Sequence, residues 1–367
     1  MKKIFYVIIA IVLFSCNSNN KKTPETKDSL KTVDSIVSGY KNEEDNSLSN
    51  DYFYKHLKGT IDGNNVNMEF FKRKNDIVGS FFDETTQTEI TFFGKMKNKT
   101  DFSVKEIEKQ GVKQKQFTGK FTNSYTIEGN SNSGSFKLTE DYSNSIGGNI
   151  YSKNDSLKYN DEISCSESEI FFYPQKSPFP ESLQKIQNEI SKLFFSKILT
   201  KFPEEMQNNE SLFLKDFKEA SKSGDMYMSW DREMTSDIVY NSNGYVSFAI
   251  HSNEFAGGAH GNYSSVYFVF DIKTGNQLKY ADIFKPEAKS KLEKIIYEKI
   301  KKLRGYDNNS MTSEYDANPI PANENFYLKQ NGIGFFYNTY EITNYANGTD
   351  EVFIPFTEIK DLLIKTF

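Results

Sequence analysis

The sequence predicts an all-β N-terminal domain followed by an α+β C-terminal domain, with a mostly antiparallel sheet and two long helices on one face. Three observations support this prediction. Short apolar or alternating runs separated by turn residues fill residues 51–140. Two amphipathic helical patterns follow, one over residues 183–198 and one after Pro286, and further strand patterns lie between and after them. Strands followed by mixed strands and helices are typical of this class.

The first sixteen residues, MKKIFYVIIAIVLFSC, have the order of a bacterial secretion signal. The apolar run from Ile4 to Phe14 is too short to cross a bilayer core of ~30 Å as a helix. The Leu-Phe-Ser-Cys ending resembles the lipobox, in which the cysteine becomes the acylated N-terminus. We expect a lipoprotein signal peptide over residues 1–15 and a lipid anchor on Cys16, with an ordinary cysteine as the alternative. The location would be the cell envelope, periplasmic or at the cell surface.

Charge and cysteine content narrow the possible partners. The formal net charge of −5 falls to about −7 once the two leader lysines are removed. This mildly acidic balance disfavours a nucleic-acid partner and favours a cationic one. Only Cys165 remains free once Cys16 is acylated, so the chain has no intramolecular disulfide. Its stability therefore depends on hydrophobic cores, for which an aromatic content of 15% supplies ample material.

The N-terminal half divides into a tether and a β domain. Residues 16–50 are rich in Asn, Ser, Lys, Thr, Asp and Glu, and we expect a disordered tether. Residues 51–140 predict a β-meander that forms a small sandwich or barrel. Glycines interrupt its strand patterns, at Gly59, Gly79, Gly94 and Gly119. We interpret them as bends in a strongly curved sheet, with a ligand cavity as the alternative.

The C-terminal half begins after a predicted linker. Residues 141–160, DYSNSIGGNIYSKNDSLKYN, return to Ser, Asn and Gly, and residues 161–367 then form the α+β domain. Two hairpins are predicted, at Asn243-Gly244 and at Asn331-Gly332. A short C-terminal helix follows the last strand.

Four motifs in this half carry a resemblance to a known family. They are the GGAHG loop at residues 257–261, the FDIKTG turn, the ADIF step and the segment from YEIT to FIPF. In this order they resemble the extracytoplasmic domain of unknown function shared by the lysozyme-sensing anti-sigma factor of Gram-positive bacteria and certain peptidoglycan deacetylases. The resemblance covers residues 164–367 approximately.

The resemblance implies a recognition domain, in one relative for lysozyme. The deacetylases have a separate catalytic domain with a Phe-Asp-Asp-Gly metal site and a His-x-x-x-His pair, and this sequence contains neither. The anti-sigma factor has a cytoplasmic segment and a membrane-spanning helix where this chain has a lipoprotein signal. We expect a cell-envelope binding module rather than an enzyme, with a lysozyme-type protein or peptidoglycan as partner. No nucleic acid and no cofactor are expected.

One loop is the candidate binding site. It contains Gly257, Gly258, His260, Gly261, Asn262 and Tyr263. The glycines are expected to adopt positive φ and so to let the chain cross between two strands. His260 has three interpretations: it bonds to loop backbone, it belongs to a recognition surface, or it acts in an envelope hydrolase with Glu254 or Asp271.

Metal and thiol chemistry have little support. The three histidines, His56, His251 and His260, lie in three different predicted elements, so no metal site is expected. A nucleophilic pair of Cys165 and His260 is disfavoured because the acidic run SCSESE should raise the pKa of the thiol.

Overall fold

The computed structural model describes residues 32–33, 47–107, 114–224 and 226–367. Cys16, the signal peptide and most of the predicted tether lie outside the described residues. Two parts of residues 16–50 belong to the fold, which corrects the tether prediction there. Strand β1 (Thr32–Val33) pairs with Leu157 and Ser156 of the main sheet. Ser47–Ser49 forms a 3₁₀ turn, and Leu48 is buried in the N-terminal core because it is apolar.

The N-terminal domain is a closed barrel of eight antiparallel strands, which confirms the all-β prediction. The strands are β2 (Tyr52–Ile61), β3 (Asn64–Arg73), β4 (Asp76–Asp83), β5 (Thr88–Met96), β6 (Asp101–Glu106), β7 (Gln116–Asn123), β8 (Thr126–Ser131) and β9 (Ser135–Glu140). Pairing of β2 with β9, from Leu57 opposite Glu140 to Ile61 opposite Phe136, closes the barrel.

Phenylalanine rings fill the barrel interior, so the glycines do not open a ligand cavity inside it. The interior rings are Phe53, Phe70, Phe81, Phe92, Phe102, Phe117, Phe121 and Phe136. The space left among them is about 10 Å³, the lower limit for a single water. A Cβ on Gly79 would lie 2.6 Å from the Phe92 ring, and one on Gly119 would lie 2.6 Å from the Phe102 and Phe136 rings. The two glycines therefore make room for aromatic packing.

The predicted linker is a strand over most of its length, which corrects that prediction. Strand β10 (Gly147–Lys158) pairs antiparallel with β11 (Ser164–Lys176). Ile150, Tyr151 and Leu157 are buried, but polar side chains at neighbouring buried positions conceal the alternation expected of a strand. The division into two independent domains stays a prediction.

A seven-stranded sheet organises the C-terminal region in the order β1-β10-β11-β12-β13-β14-β15. Its remaining strands are β12 (Trp230–Ser242), β13 (Tyr245–Phe255), β14 (Asn262–Asp271) and β15 (Gln277–Leu278). Only β11 and β12 pair in parallel, so the sheet is mostly antiparallel as predicted. The β12–β13 hairpin turns at Asn243 and Gly244, with φ of 53° and 82°, which is typical of a two-residue hairpin turn.

Three helices follow β11 and cover one face of this sheet. They are α1 (Pro180–Phe195), α2 (Glu204–Gln207) and α3 (Leu212–Lys222). Ile186, Ile190 and Phe194 of α1 pack in one cluster with Phe270 of β14. The α1 helix confirms the first helical prediction, whereas α3 was not predicted from the sequence.

The remaining elements build a second layer. They are α4 (Tyr280–Ile283), α5 (Lys289–Arg304), α6 (Asn308–Glu314), β16 (Phe326–Lys329), β17 (Gly332–Tyr337), β18 (Asp350–Pro355) and α7 (Phe356–Ile359). Strands β16, β17 and β18 form a separate antiparallel sheet. Ile296 and Ile300 of α5 pack in one cluster with Ile333 and Val352 of this sheet.

The two long helices lie on different sheets, which corrects their expected placement on one face. Phe270 of β14 packs in the cluster of α1, and its neighbour Val269 packs in the cluster of α5. Successive strand residues point to opposite faces, so the two helices cover opposite sides of the larger sheet. The α+β class is confirmed. Within the described residues, no helix combines the length and the apolarity that crossing a membrane requires.

Candidate functional site

The glycine-rich loop joins β13 to β14 on the surface of the larger sheet. Gly257 and Gly258 have φ of 83° and 98°, so the prediction of positive φ is confirmed for these two residues. It is wrong for Gly261, which is absent from the positive-φ glycines. A Cβ on Gly261 would lie 3.2 Å from the Glu254 carbonyl oxygen. The absence of a side chain at Gly261 thus lets the ends of the two strands approach each other closely.

His260 is exposed and is held against Tyr345. Its Nδ1 donates to the Gly261 carbonyl oxygen at 2.9 Å, which agrees with the predicted bond to loop backbone. Its ring stacks on that of Tyr345, with centroids 4.0 Å apart and planes 22° apart. The Tyr345 hydroxyl donates to the same Gly261 carbonyl at 2.8 Å. One carbonyl thus fixes two aromatic side chains from distant parts of the chain.

Two further tyrosines extend this stack. We call the group of His260, Tyr263, Tyr340 and Tyr345 the aromatic surface. The Tyr345 ring centroid lies 5.5 Å from that of Tyr340 and 6.1 Å from that of Tyr263. Tyr340 is 63% exposed and Tyr263 is 41% exposed. Exposed tyrosines beside Asn and Gly residues, here including exposed Asn262, are typical of the binding loops of antibodies.

The two segments that build the aromatic surface carry no positive charge. Residues 251–265 and 338–351 contain no Lys or Arg, and their charged residues are Glu254, Glu341, Asp350 and Glu351. Arg304 bonds to Asp350 at 2.8 Å and compensates one of these charges. The two segments therefore contribute net negative charge.

The structure does not bring together the groups of the hydrolase hypothesis. Asp271 lies at the opposite end of β14 from His260, about 30 Å away at ~3.3 Å per residue. Its Oδ1 accepts hydrogen bonds from the backbone of Lys273 and Thr274, both at 2.9 Å. Glu254 lies beside the loop as the strand partner of Asn262, whereas the hydrogen bond of His260 goes to Gly261. The version of the hypothesis that uses Asp271 is wrong.

A histidine and a serine that were not connected from the sequence lie on the two strands that carry the loop. His251 of β13 and Ser265 of β14 are strand partners, and His251 Nδ1 lies 2.8 Å from Ser265 Oγ. Burial lowers the pKa of His251, and Asp237 partly offsets this effect. A neutral His251 therefore ties the two strands together. Residues at equal distances from a hairpin loop face each other, so counting from the loop would have revealed the pair.

Asparagine side chains cover the free edge of β14 beside this pair. Asn338 accepts from the Ser265 amide at 2.8 Å and donates to the Ser265 carbonyl at 3.1 Å. Asn325 donates to that carbonyl at 3.0 Å and accepts from the Tyr267 amide at 2.7 Å. Both asparagines belong to the layer of the smaller sheet, which is thereby fixed to the edge of the larger one.

Metal and thiol sites have no support from the described geometry. Within the described ranges, no three His, Cys, Asp or Glu side chains are grouped so that they could hold a metal ion. Cys165 is buried and packs with Phe213 and Phe217 of α3. Burial, and secondarily Glu167, raises the pKa of its thiol to about 12. The acidic run raises the pKa of the thiol, as expected, but burial is the larger cause of the rise.

Charged side chains are buried where α3 covers β10, β11 and β12. The group comprises Lys153, Asp155, Glu167, Glu169 and Arg232. Lys153 bonds to Asp155 at 2.6 Å, and Arg232 bonds to Glu167. Glu169 is only 3% exposed. Burial, and secondarily Glu167, raises its pKa to about 7, against the opposing effects of Lys153 and Arg232.

Two protein families match the C-terminal region. Residues 164–263 match the family described as deacetylase PdaC, and residues 281–357 match a family described as a protein of unknown function, DUF3298. The aromatic surface uses residues from both segments. No curated protein matches the chain.

Two crystal structures resemble part of this chain. One is a DUF3298 family member from Bacteroides fragilis NCTC 9343, with 22% identity and a TM-score of 0.53, covering 61% of this chain and 96% of that one. The other is a DUF3298 family protein from Pseudomonas aeruginosa PAO1, with 15% identity and a TM-score of 0.42, covering 56% of this chain and 87% of that one. The first likeness shows a shared fold.

Proposed function

We propose that this protein is a cell-envelope lipoprotein whose C-terminal region binds a basic protein of the lysozyme type through the aromatic surface. The observation that carries the proposal is the exposure of the Tyr340 and Tyr263 rings within two segments that have no Lys or Arg. The same region matches the families described as DUF3298 and deacetylase PdaC. The resemblance to a lysozyme-sensing domain supplies the class of partner.

The chemistry of the surface suits a cationic protein. Arginine guanidinium groups stack on tyrosine faces, and cations lie favourably over aromatic rings. The carboxylates of Glu254, beside the loop, and Glu341, next to Tyr340 in the chain, would attract such groups and speed the encounter. The rings of His260 and Tyr345 are already stacked without a partner, which would reduce the side-chain entropy lost on association.

Membrane attachment through Cys16 is part of the proposal. It rests on the Leu-Phe-Ser-Cys sequence that closes the apolar run. In bacteria that express the full chain, Cys16→Ala should leave the precursor unprocessed or release the protein from the membrane fraction. Unchanged attachment and unchanged electrophoretic mobility of the variant would refute the anchor.

The binding proposal is tested with residues 17–367 immobilised and with lysozyme as the analyte. We expect an association rate that falls as salt shortens the ~8 Å screening length of physiological buffer. Tyr263→Ala should weaken binding at least about fivefold, since exposed aromatic anchors dominate such interfaces. Asn262→Ala should have a smaller effect.

Tyr125→Ala is the matched control, because Tyr125 lies on the barrel and is also 41% exposed. It should leave lysozyme binding unchanged. Absence of lysozyme binding at low and high salt would remove this partner. Retention on insoluble peptidoglycan that Tyr263→Ala abolishes, without lysozyme binding, would replace the protein partner with wall glycan at the same surface.

A further inference from the structure

The outer face of the barrel carries a groove that the proposed function does not use. Its volume is about 770 Å³, within the range of ≈ 300–1,000 Å³ typical of ligand sites. It lies across β7, β8, β9 and β2, and the turn between β5 and β6 forms one wall. The residues of the aromatic surface do not line it.

Paired glycines shape this face. Gly119 of β7 and Gly129 of β8 are strand partners. A Cβ on Gly129 would lie 2.2 Å from the Thr118 carbonyl oxygen and 2.6 Å from the Cα of Gly119. The two strands therefore bend together more closely than residues with side chains would allow. Glycine bends of this kind curve a sheet and hollow its face.

Two rows of polar side chains line the groove. In the first row, Asp101, Lys120, Glu128, Lys137 and Thr60 are successive partners across five strands. In the second row, Thr118, Asn130 and Ser135 are successive partners on β7, β8 and β9. Charged groups thus run beside hydroxyl and amide groups, with both rows facing outward.

The charges of the groove are not balanced internally. Lys120 lies 3.8 Å from Glu128, and Asn98 donates to Asp101 at 2.6 Å. Glu128 is therefore ion-paired, whereas Asp101 keeps its charge, and three lysines against two carboxylates leave the groove with one excess positive charge. Lys97 and Lys137 line the groove and are exposed, and neither forms an ion pair with any residue that the structure describes. Two ammonium groups are left for a ligand.

We propose that this groove binds a carboxylated glycan. The hydroxyl groups of Thr118 and Ser135 and the amide of Asn130 both donate and accept hydrogen bonds, as the hydroxyl groups of a sugar chain require. Lys97 and Lys137 would pair with carboxylates along the chain. The barrel is then a second recognition domain, with a polar ligand in place of the protein bound by the aromatic surface.

Isothermal titration of residues 17–367 tests this proposal with three probes at low salt. They are a hyaluronan octasaccharide, which is carboxylated, chitohexaose, which is a neutral glycan, and polyglutamate, which carries carboxylates without sugar. We expect hyaluronan to bind at least about tenfold more tightly than either of the others. Lys97→Gln combined with Lys137→Gln should reduce hyaluronan affinity at least about tenfold, a change of about 1.4 kcal/mol.

Lys95→Gln combined with Lys105→Gln is the control, since both lysines are exposed on the barrel outside the groove and the change in net charge is identical. It should leave hyaluronan affinity within about twofold of the unmodified protein. An equal loss in both double variants would show non-specific attraction and overturn the proposal. Equal binding of polyglutamate or chitohexaose, or no binding of hyaluronan, would overturn it as well. The groove variants should bind lysozyme as the unmodified protein does. A failure of the glycan proposal would leave lysozyme binding intact, and a failure of the proposed function would leave hyaluronan binding intact.

Discussion

The barrel interior and the sheet face under α3 solve the problem of burial in opposite ways. Inside the barrel, side chains of eight strands meet as an apolar cluster rich in phenylalanine. Under α3, strands β10, β11 and β12 instead bury Lys153, Asp155, Glu167 and Glu169 beside Arg232. The first region gains stability from aromatic area and close packing. The second must offset the cost of removing charges from water.

The difference teaches where pH can act on this molecule. A cluster of phenyl rings has no titrating group, so its stability does not change between pH 5 and pH 8. Glu169 does titrate in that window, because burial raises its pKa to about 7. Mutations in the two regions should therefore differ in their dependence on pH as well as in size.

The largest effect is expected from Phe70→Ala. The Phe70 ring is fully buried and contacts those of Phe53, Phe92, Phe102 and Phe121. Its removal should lower the free energy of unfolding by about 3–5 kcal/mol at every pH from 5 to 8. Denaturant unfolding measures this change. Phe93→Ala, at a ring that is 41% exposed, should cost less than about 1 kcal/mol. A pH-dependent cost at Phe70 would break the distinction between the regions.

A smaller and opposite effect is expected from Glu169→Gln. The folded-state pKa of Glu169 is raised from 4.5 to about 7, so the native state favours the protonated acid. Its stabilising contribution is fully present below pH 4.5 and is lost as the pH rises through 7. Glutamine keeps the shape without the charge. The variant should therefore gain about 2–3 kcal/mol relative to the unmodified protein between pH 5 and pH 8.5, as measured by urea unfolding. A constant difference would refute the buried titration.

The smallest effect is expected at an ion pair between the barrel and the larger sheet. Arg73 of the barrel bonds to Asp237 of the sheet, and both side chains are about one quarter exposed. A double-mutant cycle with Arg73→Gln and Asp237→Asn should give a coupling energy below about 1 kcal/mol. A much larger value would mean that the barrel and the sheet depend on each other for folding. The prediction of two independent domains would then fail.

The sequence revealed those elements whose buried positions are apolar. The barrel strands, α1 and α5 all bury apolar residues at the period of their secondary structure, so patterns alone located them. Strand β10 escaped because Lys153 and Asp155 occupy buried positions where a strand normally places apolar residues. A strand with charged residues at its buried positions lacks the apolar alternation by which strands are recognised, and its sequence resembles that of a linker. Lys153 and Asp155 pair with each other two residues apart on this strand, but the sequence does not show that α3 buries the pair.

The sequence predicted only half of the candidate site. Clustered glycines in a short segment marked the loop that carries His260 and Tyr263. Tyr340 and Tyr345 were not predicted, since they lie about 80 residues away and meet the loop only through the Gly261 carbonyl and ring stacking. Their contact depends on how the smaller sheet docks on the larger one. Patterns along the chain do not carry that information.

The asparagines that cover β14 have a consequence for solubility. A strand edge with free amide and carbonyl groups is a template on which other chains can add and aggregate. Asn325 and Asn338 occupy the backbone groups of Ser265 and the amide of Tyr267. A second chain would have to displace four hydrogen bonds before it could pair there. Two side chains from a neighbouring layer thus protect this edge against fibril-like growth.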